Sequence, residues 1–502
     1  METTMDDKHI PILPPLSLML FALRGIGYSL ETAIADLIDN SISAFAKHID
    51  VSFSWRSDNN DNQPYITICD DGHGMSREQI LTAMNFSSSD ITTLRAETDL
   101  GRFGLGLKLA SFSQCRVVSV ASKKDGVISC FRWDLNILQQ ESNNLFVIEG
   151  MTATAYSCLH LLDNVSSGTI VVWEDLDKIL TTTTSYDLFI SREESVKGHL
   201  AMVFHRFLED GDFVLTVQGV YVKPWSPFPR NNPAAQYFPI AVIGMHNNVS
   251  VQGCILPPHE NVATPELYQI MGGNKGWISQ EGFYIYRNKR LLVAGSWLGL
   301  GSPRWIQEEA YSLARIRIDI SNRDDFSWNI DVKKSTARPP EDCFLPLEKI
   351  GEEVRRKAKE TYLHRGNYQK APMEAKEEIN PWGKRDGLYY INRESPFIKK
   401  YYDQLSSEEK KDFKKVLQII ELSVPVRQIM ITESEKNQGL SYSLSKEERS
   451  QKVQAIKVIL SSWIDEHQCS LEEAVTSLSN MELFYDFPEL IQEAKNLIVG
   501  ER

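Results

Sequence analysis

Three short segments within residues 1–110 constrain this chain more than any other feature: Ala33-Ile-Ala-Asp36-Leu-Ile-Asp39-Asn40-Ser-Ile-Ser-Ala44, Asp70-Asp-Gly72-His-Gly74-Met75 and Asp99-Leu-Gly101-Arg-Phe-Gly104-Leu-Gly106-Leu-Lys108. Around the first, Leu30, Ile34, Leu37, Ile38 and Phe45 recur at helical spacing and predict an amphipathic helix from Ser29 to Ala46, with Ser29 as its N-cap. On that wheel Asp36 and Asn40 stand one turn apart, roughly opposite the Leu30, Ile34 and Phe45 stripe, so a carboxylate and an amide oxygen project together. The second segment closes a predicted strand, Tyr65–Cys69, in turn chemistry, and the third precedes a helical pattern over Leu107–Phe112.

Each segment has a chemistry. An amide oxygen such as that of Asn40 is a hard ligand suited to Mg²⁺, and the carboxylate of Asp36 beside it can orient or deprotonate a water. Asp70 at a strand end can accept a hydrogen bond from an exocyclic amine, while Gly72 and Gly74 let the backbone come close to a flat ligand. Gly101, Gly104 and Gly106 before a helix turn free N–H groups and a helix N-terminus toward phosphates, and Lys108 adds a point charge. The intervening Asn85–Leu100 stretch is rich in Ser, Thr and Asp and reads as a mobile lid.

Beyond these segments, strand patterns at Ile49–Trp55, Arg116–Ala121, Ser129–Asp134 and Thr169–Trp173 complete a mixed α/β layer. Residues 181–340 read as a second α/β domain, with a helix near Val196–Leu208 and strands at Phe213–Val217, Phe238–Ile243, Gly282–Arg287 and Ala314–Ile320. After Pro339-Pro340 the chain becomes charged and helical, with capping boxes at Ser406…Glu409, Ser445…Glu448 and Ser470…Glu473. The expected division is 1–180, 181–345, a linker over 346–395, and a helical domain over 396–502. The 54 Lys+Arg against 67 Asp+Glu give a net charge of −13, so any nucleic-acid contact has to be local. Arg355, Arg356, Lys357 and Lys359 are the better candidate for one, although Glu352, Glu353 and Glu360 dilute them. Seven cysteines without a CxxC pair suggest neither a disulfide framework nor a zinc site, and a reduced, cytoplasmic setting is expected. The apolar stretch Pro11–Leu23 has neither the length nor the flanks of a spanning helix or signal peptide, so no membrane partner is expected.

In this order, with a lid between the last two, the three segments resemble the nucleotide site of the GHKL superfamily, which groups gyrase, the heat-shock chaperones, histidine kinases and MutL. The blocks Ala33–Ala44 and Asp99–Ser111 are most similar to its MORC-type branch and the bacterial relatives of that branch. The resemblance covers about the first 180 residues strongly and 181–340 more loosely. It implies an α+β protein built from a Bergerat-type ATP-binding sandwich, a transducer-like domain and a C-terminal helical region, with ATP and Mg²⁺ as cofactors. It also implies roles: Asn40 as the Mg²⁺ ligand, Asp70 as the adenine reader, Gly72, Gly74 and Met75 on the adenine side, Gly101, Gly104, Gly106 and Lys108 at the phosphates, and Thr169 closing the adenine pocket. Where the superfamily has Glu as catalytic base this chain has Asp36, one methylene shorter, so hydrolysis is expected to be slow. Glu31 or Asp39 can share the role, Asp39 sitting about 60–100° from Asp36 and Asn40 on the wheel.

By the same resemblance a lysine of the second domain meets the γ-phosphate. Lys334 in Ile330-Asp-Val-Lys333-Lys334-Ser335 lines up best, with Lys333 as the alternative, and Gly282–Arg290 reads as a transducer strand whose basic end is solvated or touches a partner. The implied activity is an ATP-hydrolysing clamp, a homodimer when ATP is bound, acting on DNA or DNA-processing proteins, with a restriction or anti-phage role as the extension. A chaperone-like clamp acting on proteins is the alternative, mildly favoured by the acidic charge. A histidine kinase is not expected, because only His9 precedes the nucleotide segments, and no DxD cluster suggests a topoisomerase cleavage domain.

Overall fold

The computed structural model describes all residues except 1–23, 26, 59–60, 86–105, 139–145, 181–185, 230–231, 246–247, 263, 326, 332–333, 335, 365–381, 386–387, 394, 424–445, 480–487 and 501–502. The chain divides into two compact units, residues 1–257 with 262–359, and residues 258–261 with 360–502.

In the first unit, helix α1 (Leu30–Ser43) begins where Ser29, in extended backbone, offers its hydroxyl to the Thr32 N–H at 3.3 Å. The stripe Leu30, Ala33, Ile34, Leu37 and Ile38 is buried as the periodicity predicts. Phe45 is not part of it. The helix stops two residues earlier, Phe45 takes a left-handed φ of 59° and is 74 % exposed, and the reversal carries Ala46 into the core instead. Helices α2 (Arg77–Met84) and α3 (Gly106–Phe112) follow, α3 packing on α1.

These helices lie along an eight-stranded sheet made of β1 (His48–Asp58), β2 (Asp61–Asp70), β3 (Val117–Lys124), β4 (Val127–Asp134), β5 (Ile148–Glu149), β6 (Gly168–Glu174), β7 (Val214–Val217) and β8 (Val220–Tyr221), in the order β5-β4-β3-β6-β2-β1-β7-β8. Two features of its register build the site. β6 inserts between β2 and β3, so Thr169 lies opposite both Asp70 and Ser122. β7, from the segment grouped with the second domain on sequence, pairs in parallel with β1. Ala121, Ile170 and Val172 pack against Met151, Ala155, Cys158 and Leu162, giving the sheet one of its cores.

Helix α4 (Tyr186–Val203) touches α1 and the second sheet, and α5 (His205–Asp210) follows it at once, so the single helix expected near 196–208 is two. The second sheet holds β9 (Gln236–Tyr237), β10 (Ala241–Ile243), β11 (Val249–Ile255), β12 (Gly282–Arg287), β13 (Arg290–Ser296) and β14 (Ala314–Ile320), ordered β10-β11-β14-β12-β13 with β9 beside β11. β12 and β14 run as the sequence patterns predict; β11 and β13 carried no recognised pattern. The expectation of one basic-ended strand over Gly282–Arg290 is corrected: Asn288 and Lys289, at φ 47° and 71°, form a two-residue hairpin turn, and Arg290 opens a new strand. Of its basic end, Arg287 and Arg290 are buried at 4 % and 3 % exposed, while the Lys289 side chain at the turn remains 42 % exposed.

Helix α6 (Glu341–His364) overturns the nucleic-acid reading of Arg355, which is 8 % exposed, its guanidinium 3.6 Å from the Tyr311 ring centroid and within 5.0 Å of Trp297 and Trp305. Cation–π stacking in an aromatic box, not phosphate, satisfies that charge.

The second unit contains a hairpin, β15 (Trp382–Arg385) with β16 (Leu388–Ile391), inside the stretch expected to be linker. It continues with α7 (Pro396–Gln404), α8 (Ser407–Ser423), α9 (Lys446–His467), α10 (Leu471–Ser479) and α11 (Pro488–Gly500). Val453, Ile456, Leu460 and Trp463 of α9 meet Ala474 and Leu478 of α10 and Leu490, Ile491 and Ala494 of α11 in an apolar core. Both legs of the capping boxes at Ser406 and Ser470 are made, and Ser445 lies outside the described residues.

Candidate nucleotide site

The site begins with two carboxylates on one side of α1. Asp36 and Asp39 are 1 % and 0 % exposed. Sequence spacing had set them 60–100° apart, yet both meet the same ammonium: Lys334 Nζ donates to Asp39 Oδ2 at 2.7 Å and lies 3.4 Å from Asp36 Oδ1. A long, flexible lysine spans the angle that the wheel puts between them. The remaining Asp39 oxygen accepts from Arg290 Nε at 2.8 Å, and Asp36 Oδ2 accepts from the Tyr28 hydroxyl at 2.9 Å. Asp36 Oδ1 is buried and, among the described residues, accepts no hydrogen bond, Lys334 Nζ lying 3.4 Å away.

The two acids are driven apart electrostatically. Burial raises the Asp36 pKa, against the pull of Lys334. Burial acts the same way on Asp39, but Arg290 and Lys334 outweigh it and hold that carboxyl below its ordinary value. Neighbouring acids with opposed shifts are the pattern of an acid–base site. Asn40 is exposed one turn from Asp36, so the amide and the carboxylate do not project together into solvent; Asp36 faces inward because Lys334 and Tyr28 are there to meet it. Glu31 is held by α4, where the Ser195 hydroxyl donates to it at 2.7 Å.

Asp70 ends β2 and is 8 % exposed. Its oxygens accept from the Ser41 hydroxyl of α1 at 2.7 Å and from the Gly72 N–H at 2.9 Å, leaving lone pairs for a further donor. Burial nevertheless raises its pKa. Across the sheet Thr169 Oγ1 sits 2.8 Å from Ser122 Oγ, which also receives the Met75 N–H at 2.8 Å. Gly74 is obligatory: its φ is +64°, and a Cβ would run into the Lys123 carbonyl. His73 is exposed.

The third segment begins its described part at Gly106, where an added Cβ would lie 4.0 Å from Asp36 Oδ2, so the start of α3 abuts the acidic pair. Lys108, in the first turn of α3, is 1 % exposed, and burial lowers its pKa to about 8. Gly101, Gly104, Lys333 and residues 86–100 of the expected lid lie outside the described residues. The structure thus gathers Asp36, Gly106 and Lys334 at one place and Asp70, Gly72, Gly74, Met75 and Thr169 at the neighbouring end of β2. Sequence reasoning did not single out Arg290, Tyr28, Ser41 or Ser122. For Arg290, the signal was its place directly after a turn-forming Asn-Lys pair.

The domain family described as "Histidine kinase-, DNA gyrase B-, and HSP90-like ATPase" matches residues 28–169. Over 219 residues the chain is 28% identical to "ATPase morc-1" of Caenorhabditis elegans, covering 39% of this chain and 24% of that protein. Over 101 residues it is 36% identical to "DNA mismatch repair protein MutL" of Dictyoglomus turgidum, covering 19% of this chain and 17% of that one. The chain therefore spans under a quarter of the length of these relatives. Among solved structures, the ATPase and transducer domains of DNA topoisomerase II from Balamuthia mandrillaris align at a TM-score of 0.35 and 10% identity, over 66% of this chain and 84% of that chain. The matched residues are those that hold Asp36, Asp70 and Thr169, and over them the chain is similar to the GHKL-type ATPases, a MORC protein and a MutL protein among them.

Proposed function

We propose that the chain is a Mg²⁺-dependent ATPase clamp that dimerises with ATP and acts on DNA or on DNA-handling partners, with restriction or anti-phage defence as the setting. The observation that carries the reading is the buried Asp36 carboxylate, one oxygen of which accepts no hydrogen bond among the described residues, beside Lys334 from a loop far along the chain and the start of α3. A buried acceptor left open is costly unless a ligand or water completes it. In this reading Asp36 takes the proton of the attacking water, Asp70 accepts the adenine amine, Thr169 and Met75 flank the base, and Gly101, Gly104, Gly106 and Lys108 face the phosphates. Asn40 offers its amide oxygen to Mg²⁺, which when bound neutralises phosphate charge. Lys334 contacts the terminal phosphate. The names of the two relatives, an ATPase and a DNA mismatch repair protein, support DNA as the client. The net charge of −13 favours the second reading, a clamp on proteins.

Titration calorimetry tests the site. ATP is expected to bind and GTP not, because the guanine carbonyl would face the Asp70 carboxylate. Asp36→Ala is expected to keep ATP binding and lower turnover by about 100-fold or more, while Asn40→Ala loses the Mg²⁺-dependent part of the affinity. Equal affinity for the two nucleotides removes the adenine assignment; full turnover by Asp36→Ala moves the base to Glu31 or Asp39.

A further inference from the structure

Two cations from late in the first unit, Arg290 and Lys334, converge on one buried carboxylate of α1. Arg290 Nε reaches Asp39 Oδ1 at 2.8 Å and Lys334 Nζ reaches Asp39 Oδ2 at 2.7 Å. The two differ in how firmly they are held. Arg290 opens β13, is 3 % exposed, donates through Nη1 to the Leu291 carbonyl at 2.7 Å, and lies 4.6 Å from the Phe204 ring centroid. The turn before it is fastened by Lys289, which meets Asp210 at 2.7 Å and Asp212 at 2.8 Å. Lys334 comes from a loop, at a left-handed φ of 51°, and is within reach of both Asp36 and Asp39. One cation is thus fixed and one can change partner.

Asp39 is fully enclosed, and an enclosed carboxylate stripped of every cation is strongly disfavoured. Lys334 can leave it for a phosphate only while another cation stays. We propose that Arg290 is a positioning residue for the nucleotide switch: it keeps Asp39 neutralised, and so leaves Lys334 free to transfer from Asp39 to the terminal phosphate of ATP. This rests on the reading of Lys334 as the phosphate contact. Arg290 touches neither nucleotide nor water in this scheme; it sets how much a terminal phosphate is worth to Lys334.

The test measures the affinity of the full chain for a non-hydrolysable ATP analogue and for ADP, both with Mg²⁺, by calorimetry. The wild-type chain is expected to favour the analogue, and Lys334→Ala to lose that preference. Arg290→Ala is expected to reduce it by about ten-fold with ADP affinity unchanged, because Asp39 then retains Lys334 as its sole cation. Arg290→Lys is expected to keep most of the preference. In the double variant Arg290→Ala/Asp39→Asn the preference returns, since Asp39 no longer carries a charge that holds Lys334 and only the more distant Asp36 contact at 3.4 Å is left. A wild-type preference in Arg290→Ala, equal losses of both affinities, or a deeper loss in the double variant overturns the proposal and leaves Arg290 a structural ion pair. If Lys334→Ala keeps the preference, the phosphate-contact reading itself fails. Thermal melts accompany each variant, and Arg290→Gln takes the place of Arg290→Ala if the alanine protein does not fold.

Discussion

A buried carboxylate with a single open oxygen recurs in this molecule. Besides Asp36 it is found at Glu281, which precedes β12 and is fully enclosed. Glu281 Oε1 accepts from Trp297 Nε1 at 2.9 Å and from the Glu308 N–H at 2.8 Å, whereas Oε2 accepts nothing among the described residues. Burial pushes its pKa from 4.5 to about 7, against the two hydrogen bonds and the charges of Arg355 and Arg315. The folded chain therefore keeps this proton between pH 4.5 and about 7, where the unfolded chain has lost it, so stability contributed here is present at low pH and declines as pH rises through that window. At most this amounts to about 3 kcal/mol. Glu281→Gln is expected to flatten the decline in denaturant midpoints measured from pH 5 to pH 8; an unchanged slope would assign the proton elsewhere. At this scale Asp36, Asp70 and Thr169 could be singled out as candidates from the sequence because each sits in a compact local motif. It could not show the Arg290–Asp39 pair, whose members are 251 positions apart and meet only through the docking of the hairpin.

At the scale of elements, local chemistry decided most of what was legible. Alternating or continuous apolar runs located β12 and β14, and capping boxes located α8 and α10, since these signals depend on neighbours along the chain. Ends were harder: the stripe through α1 continues to Phe45 on paper, but a helix ends where its backbone turns, and the left-handed residue there sends the side chain outward. β13, with Leu291, Leu292 and Val293 in succession, is buried in the second sheet, so no alternation marked it. The caps themselves can be tested. Ser470 bonds the Glu473 N–H at 3.2 Å and receives Glu473 Oε2 on its own N–H at 2.8 Å, so Ser470→Ala is expected to destabilise the α9–α11 core by about 1 kcal/mol in chemical denaturation. A loss indistinguishable from zero would mean that α10 is held by its apolar face alone.

For the whole molecule, no helix among the described residues is long and apolar enough to cross a membrane. In the proposed clamp, nucleotide state is reported through Lys334, so light scattering is expected to show dimers with a non-hydrolysable ATP analogue and monomers with ADP, and Lys334→Ala to remain monomeric with either. Dimers in every state would make nucleotide irrelevant to assembly. The parallel placement of β7 on β1 carries one more consequence. Ile49, Val51 and Phe53 of β1 are buried, and β7 and β8, from residues 214–221, are what separate that strand from the margin of the sheet. A fragment cut after residue 180 would turn β1 into an uncapped rim, its backbone groups open and its apolar side chains half uncovered, which is a template for sticking to other copies. The first sheet is sealed by chain that comes after most of its strands, so its folding is expected to finish only once residue 221 has been made.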